Sequence, residues 1–273
     1  MIILSPKHIF NVPVDAENIT PDMFIGKNLD EIKLLRIYEG NRERILADIF
    51  VVEQKYDIQD DNASIQMLGD FTKVKRIGAK MSLGQIVVNG NVGMRLGEGM
   101  KGGKINVNGN ADSWAGMMMK GGIIEISGNA GDYVGSSYRG STVGMTGGKI
   151  IVNGDAGNEV GCFMNDGLIN IKGKVMDFVG IHMRGGTILV EGDAGTRAGA
   201  EMMGGKIVIL GKVPSILPSI IVDEFRKSVK VYKDRIEGPF YLFKGDITES
   251  WNGSVYILTQ KNPHLKFYDA KIV

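Results

Sequence analysis

Cysteine occurs once in this 273-residue chain, at Cys162, histidine three times (His8, His182, His264) and proline seven times. One thiol excludes a disulfide within the chain and a four-thiolate iron–sulfur site. A zinc centre of Cys and His type would need nearly all of those scattered side chains at one point. No metal or other cofactor is therefore expected in this chain itself. An excess of charge is missing too. With 32 basic against 31 acidic residues, there is no electrostatic case for nucleic acid or an anionic membrane as the main partner. No apolar run approaches the ~20 residues that cross a bilayer, and residues 1–13 lack a basic stretch followed by a long apolar one. A cytoplasmic protein is expected.

Glycine is what the chain has in quantity, at 39 residues, and it stands at fixed positions. Eight copies of one phrase end on Gly69, Gly90, Gly109, Gly128, Gly154, Gly173, Gly192 and Gly211, at intervals of 21, 19, 19, 26, 19, 19 and 19. Four residues before each stands isoleucine: Ile65, Ile86, Ile105, Ile124, Ile150, Ile169, Ile188 and Ile207. A fixed period near 20 marks a solenoid.

Within one copy, Ile105, Asn106, Val107 and Asn108 alternate apolar and polar, the signature of a half-buried strand. The second inward position is Met67 in the first copy and then always Val or Ile, side chains that suit a pleated surface. Nineteen residues leave no room for a crossover helix of about a dozen residues plus strands and turns. Successive copies must stack directly. The expected fold is all-β: a single-stranded parallel β-helix of about eight coils over residues 65–213, capped by segments 1–64 and 214–273. At ~4.8 Å per coil the stack would be roughly 35–40 Å long.

Four copies carry G-x-x-G-x-x-x-G in full: Gly90, Gly93, Gly97; Gly128, Gly131, Gly135; Gly154, Gly157, Gly161; Gly192, Gly195, Gly199. Corners need positive φ or close backbone approach, which glycine accepts. Asp112 and Met176 replace the middle glycine, and a distorted corner is expected at Met176. A second ladder runs Met81, Met100, Met119, Met145, Met164, Met183, Met202. Such a row of thioethers suits Cu(I), but its presence in every copy and the lack of cysteine favour buried packing.

The outward strand positions are mostly polar early and turn apolar late, at Leu189, Val208 and Leu210. The last 60 residues or a partner should cover them, so these three are also candidate partner contacts, as is Trp251. Asn28 with Glu31 reads as a capping box opening a helix to about Tyr38, and Ile45–Val52 as a strand. Nine of the 20 aromatics, Trp251 among them, fall beyond Pro214. They suit a cap, a docking surface, or both. The 26-residue interval holds seven extra residues, near Ser136–Thr142, in which Tyr138 and Arg139 are candidate partner contacts. Cys162 and His182 fall on adjacent coils, 20 residues apart, with His182 and Arg184 flanking Met183 and pointing outward. No third orienting group or oxyanion site accompanies them, so no catalytic pair is read.

The glycine phrase resembles the GXGXG repeat domain shared by the C-terminal part of the large glutamate synthase subunit and by the C subunit of formylmethanofuran dehydrogenase. The flanks resemble the latter through Val12, Pro13, Val14, Asp15, Ala16 and Glu17, then Thr20, Pro21, Asp22, Met23 and Phe24, then Gly26, Lys27 and residues 38–41. The resemblance covers essentially the whole chain. It implies a non-catalytic scaffold subunit of a ferredoxin-linked oxidoreductase acting on an aldehyde or oxo group. That complex reduces CO2 and fixes it as formylmethanofuran in the first step of methanogenesis. It further implies three partners: a molybdopterin subunit with tungsten or molybdenum and iron–sulfur clusters, an amidohydrolase-like subunit with a metal hydrolase site, and a small D subunit. No catalytic, cofactor-binding or metal-ligating residue is carried onto this chain.

Other readings remain open. The equivalent subunit of a formyltransferase/hydrolase complex would mean hydrolytic chemistry, and a glutamate-synthase-like structural domain would mean none. A left-handed β-helix acyltransferase would show hexad periodicity, which is missing. A carbohydrate-active β-helix would need clustered acids on one face, which Glu125 and Glu191 do not provide.

Overall fold

The computed structural model describes residues 1–56 and 63–272. Residues 57–62, within the expected segment 1–64, and Val273, the end of segment 214–273, lie outside the described residues. The chain opens with β1 (Ile2–Pro6), β2 (Val14–Asp15), α1 (Pro21–Phe24), α2 (Leu29–Lys33), β3 (Arg36–Glu39), β4 (Arg42–Ile45), α3 (Leu46–Ile49) and β5 (Phe50–Gln54). The repeats supply β6 (Ser64–Leu68), β7 (Val74–Lys75), β8 (Gln85–Asn89), β9 (Lys104–Val107), β10 (Ile123–Ile126), β11 (Thr146–Val152), β12 (Asp166–Ile171), β13 (Thr187–Val190) and β14 (Lys206–Ile209). Then come β15 (Ile221–Val231), β16 (Asp234–Lys244), β17 (Ser254–Leu258) and two 3₁₀ segments, Thr259–Lys261 and Pro263–Lys271.

Thirteen strands form one sheet in the order β15-β16-β17-β14-β13-β12-β11-β10-β9-β8-β6-β1-β5. It is parallel from β17 to β1 and antiparallel only at its two ends. The described chain is thus mostly β, with the stacked strands of a β-helix-like solenoid. Each pairing sets isoleucine on isoleucine, from Ile65 on Ile86 through to Ile188 on Ile207. All eight are buried. The ladder runs past the repeats in both directions: Ile2 pairs with Ile65 in β1, and Ile207 with Val255 in β17. A smaller sheet, β4-β3-β2-β7, packs the N-terminal segment beside the first repeats.

The seven methionines are all fully buried. Six of the seven thioether methyls lie under a glycine of the next repeat: a Cβ on Gly103 would meet Met81 Cε at 2.5 Å, and one on Gly186 would meet Met164 Cε at 2.7 Å; Met202 instead sets its sulfur against Gly253. The thioethers fill the space a side chain would otherwise occupy.

The three glycines of the phrase differ in what they do. The third, for example Gly161 at φ +72, sits in the left-handed region against Ile188. The middle one does not have positive φ; a Cβ on Gly157 would stand 2.1 Å from Asp132 Oδ1 of the preceding repeat. The distortion expected at Met176 is absent for that reason. Its backbone takes an ordinary φ and keeps its interrepeat bonds, Met176 N–H to Gly157 O at 3.2 Å, while the side chain points to solvent.

Two N-terminal expectations are corrected. The Asn28–Glu31 capping box is present, but α2 ends at Lys33 rather than near Tyr38. Gly40, at φ +60, turns the chain so that Arg36–Glu39 pairs with Arg42–Ile45 as a hairpin, which the helix would have prevented. The strand expected over Ile45–Val52 is split by α3, whose first turn is closed by Asp48 accepting from Ile45 N–H at 3.3 Å.

Replacing Ile169 by alanine should lower unfolding free energy by ~2–5 kcal/mol, the range for a large buried truncation. Gly157→Ala, which overlaps a neighbouring carboxylate, should lose ~1–3 kcal/mol. Met176→Gly should change stability by less than ~1 kcal/mol. Equilibrium urea unfolding measures all three, and a Met176→Gly loss as large as that of Gly157→Ala would contradict this account of the middle position.

Candidate functional site

Each repeat turns its corner with residues of positive φ placed two apart. In one repeat these are Trp114 (φ 64), Gly116 (67) and Met118 (54); in another, Phe178 (64), Gly180 (70) and His182 (54). A left-handed conformation costs an L-residue about 1–2 kcal/mol. Hydrogen bonds to the neighbouring repeats hold it. Trp114 N–H donates to Asp132 O at 2.8 Å in the next repeat, and Gly116 N–H donates to Leu96 O at 2.7 Å in the preceding one. Alternate amides point up and down the stack.

The side chains at these corners form ladders. The position two before the glycine reads Arg76, Arg95, Trp114, Tyr133, Glu159, Phe178, Arg197. Trp114 stacks on Tyr133 with centroids 4.7 Å apart, and the Arg197 guanidinium lies 5.1 Å from the Phe178 centroid. Two residues after the glycine, Phe163 stacks on His182 at 4.4 Å, and His182 Nδ1 lies 3.4 Å from Glu201 Oε2. The left-handed ladders were not foreseen from sequence. Their only trace there is the recurrence of large residues on either side of the third glycine.

The inserted segment lies on this corner. Ser136 and Ser137 remain in the repeat and are buried, with Ser137 N–H donating to Cys162 O at 3.1 Å. The projecting loop is therefore 138–143, slightly later than Ser136–Thr142. Tyr138 is 43% exposed and its ring receives the Arg95 guanidinium at 4.7 Å. Arg139 lies 6.0 Å from the Trp114 ring. Burial, reinforced by Glu159, raises the pKa of Tyr133, and the Arg139 charge opposes it only in part. The phenol stays neutral at physiological pH.

Two of the candidate partner contacts are already filled from within. Leu189 (7% exposed) and Val208 (0%) lie beneath the hairpin β15–β16, packed with Leu168, Val229, Val231 and Phe240, and Leu210 flanks that cluster. Of the two coverings expected for the late apolar face, the chain's own last 60 residues provide it, which leaves Leu189 and Val208 unavailable as partner contacts. Trp251, by contrast, is 53% exposed in the connection between β16 and β17. Of the acids on the outer face, Glu125 pairs with Lys104 at 3.6 Å, and Glu191 accepts from Asn170 Nδ2 at 3.0 Å.

Cys162 is buried, and burial pushes its thiol up to about 12, with Glu159 adding to the shift. It therefore does not fit the role of a thiolate ligand or nucleophile. His182 turns its ring onto Phe163 rather than to that thiol. Among the described residues no group of three or more His, Cys, Asp or Glu is placed to hold a metal ion, and no helix is long and apolar enough to cross a membrane. The strongest charge cluster joins the N-terminal segment to the first repeats: Arg76 meets Glu17 at 2.6 Å, Asp15 at 3.3 Å and Glu98 at 3.3 Å. Burial alone would lower the Arg76 pKa, but the three carboxylates outweigh it and raise it. This network fastens one end of the stack; it holds no reacting group.

No family model matches the chain. Over 93 residues, 34% of its length, it is 47% identical to the C subunit of the tungsten-containing formylmethanofuran dehydrogenase 2 of Methanothermobacter wolfeii, covering 34% of that protein. Over 93 residues it is also 46% identical to the C subunit of the molybdenum-containing formylmethanofuran dehydrogenase 1 of Methanothermobacter marburgensis, covering 22% of it. These matches span about a third or less of the length of the curated relatives. A solved structure matches far more of the chain. It is the formyltransferase/hydrolase complex from Methylorubrum extorquens in complex with methylofuran, one chain of which superposes with TM-score 0.82 at 28% identity over 94% of this chain and 99% of that one.

The Cys162 thiol has a testable signature. Its folded pKa lies above the ordinary 9.0, so the stability it contributes is intact below pH 9.0 and declines as pH rises from there toward about 12. Iodoacetamide at pH 8.5 should label native protein at least 100-fold more slowly than urea-unfolded protein. Equal rates in the two states would show that the thiol is not held neutral and buried.

Proposed function

We propose that this chain is the scaffold subunit of a formylmethanofuran dehydrogenase complex, built as a single-stranded parallel β-helix of about eight coils, with segments 1–64 and 214–273 as its caps. The observation that carries this reading is the 46–47% identity to the C subunits of both molybdenum- and tungsten-containing formylmethanofuran dehydrogenases. On this reading the chain holds no catalytic residue. Reduction of CO2 and transfer of the formyl group to methanofuran belong to its partners: a molybdopterin subunit with tungsten or molybdenum and iron–sulfur clusters, an amidohydrolase-like subunit with a metal hydrolase site, and a small D subunit. The assembly is cytoplasmic and contacts neither membrane nor nucleic acid. A similar subunit occurs with either metal, so this one is matched to the shape of its neighbours rather than to the metal they hold.

What such a scaffold supplies is position. An in-register stack with a close-packed interior deforms little, so groups docked along it stay at fixed separations. Tyr138, Arg139 and Trp251 are its proposed contacts, being large side chains left partly in solvent on a rigid support.

A second reading has its own support. The whole-chain superposition, at TM-score 0.82, is to a chain of a formyltransferase/hydrolase complex. The equivalent subunit of such a complex would serve formyl transfer and hydrolysis without a redox metal.

The two separate on purification. Isolated from its native cells under non-denaturing conditions, the tagged chain should bring down a protein that carries tungsten or molybdenum by elemental mass spectrometry. The preparation should oxidise formylmethanofuran with a viologen dye. Release of formate by a preparation lacking both metals would instead establish the second reading. A chain that comes out alone and turns over formylmethanofuran by itself would overturn the scaffold assignment. Tyr138→Ala with Arg139→Ala should reduce recovered partners at least tenfold while changing unfolding free energy by less than ~0.5 kcal/mol, as surface substitutions do.

A further inference from the structure

The outer face of the sheet carries a cleft of about 610 Å³ where the tip of the β15–β16 hairpin stops short of β10 and β11. Ile123, Lys149, Asp166, Leu168, Thr187 and Tyr232 are among its walls. Tyr232, at the turn of the hairpin, is 62% exposed. In the floor, Leu168 is buried under the hairpin, while Ile123, two strands away with Lys149 between them, is left exposed.

The charges around this cleft are lopsided, although the chain as a whole is balanced. The Lys149 ammonium lies 5.9 Å from the Tyr232 ring centroid and that of Lys233 lies 5.6 Å from it. Among the described residues neither lysine has a carboxylate within ion-pair distance. Lys206 crosses from the sheet to donate to Lys230 O at 2.8 Å, and burial together with the charge of Lys230 lowers its pKa. Four lysines thus converge on the hairpin tip. Asp166, the acid in the wall, accepts from Gly167 N–H at 2.7 Å and leaves Lys149 unpaired.

We propose that this cleft docks an acidic segment of a partner protein in the assembly, one that lays an apolar side chain on Ile123 and its carboxylates between Lys149 and Lys233. The occupant follows from complementarity. Unpaired ammonium groups beside an aromatic ring attract carboxylate, and the exposed Ile123 beside them offers an apolar contact. The inference rests on the chain being one component of a larger assembly and adds where and by what chemistry it is held.

The test uses the intact complex, treated with a water-soluble carbodiimide, which joins an amine to a carboxylate in direct contact. Lys149 or Lys233 should appear by mass spectrometry linked to an aspartate or glutamate of another subunit. Links only to Asp166 or Asp234 of the same chain, or to a second copy of it, would overturn the proposal. Independently, Lys149→Glu with Lys233→Glu should weaken association at least tenfold at low salt, and Lys149→Arg with Lys233→Arg should restore it, with unchanged thermal unfolding in both. A complex unaffected by the charge reversal would also overturn it while leaving the scaffold reading intact. A chain that forms no complex at all would instead defeat the scaffold reading itself.

Discussion

The structure depends on one constraint: parallel strands in register, one hydrogen-bonded step apart. At ~4.8 Å per step, whatever occupies a position in one repeat must pack on what occupies it in the next. That is why isoleucine lies on isoleucine from β6 to β14 and why six of the seven methionine methyls find a glycine above them. Polar groups obey the same rule. Asn91 Oδ1 accepts from Asn110 N–H at 2.9 Å, Asn110 Oδ1 from Asn129 N–H at 2.8 Å, and Asn129 Oδ1 from Asp155 N–H at 2.8 Å. Backbone amides between the strands are satisfied by a ladder of side chains that repeats with the stack.

A stack of this kind has a weakness at its ends, where a row of backbone groups faces open solvent. Both ends are closed by reversing strand direction. At one, β5 pairs antiparallel with β1; at the other, β16 pairs antiparallel with β17 and β15 with β16. The outermost long strand, β15, carries two register shifts and receives Lys206 on one of its carbonyls. These features discourage a further strand from adding there. The same hairpin covers the late apolar face, so one element serves as end cap and as lid over Leu189 and Val208.

The constraint also explains where function can reside. Inward positions are committed to packing, and the lone thiol is buried and held neutral. Freedom remains at the left-handed corners, in the 138–143 loop and around the hairpin tip. There the side chains differ from repeat to repeat and face solvent. A rigid core with variable outward positions suits a protein that holds others in place.

Particular residues show how far the sequence reached. The period, the inward Ile and Val positions and the methionine row were legible because stacking forces identical residues into identical places, and identity at a fixed interval is visible in one dimension. The capping box at Asn28 was legible because its partners are three residues apart. The end of α2, the left-handed Trp114 and Tyr133, and the ordinary φ of Met176 were not, because each is decided by hydrogen bonds to another repeat or strand. The sequence alone determined the repeat and its inward face. Tertiary structure decided what covers the outward face and which charges meet at the hairpin tip. Those contacts join β15 and β16 to strands some 20 to 80 residues earlier in the chain, with no periodicity to announce them.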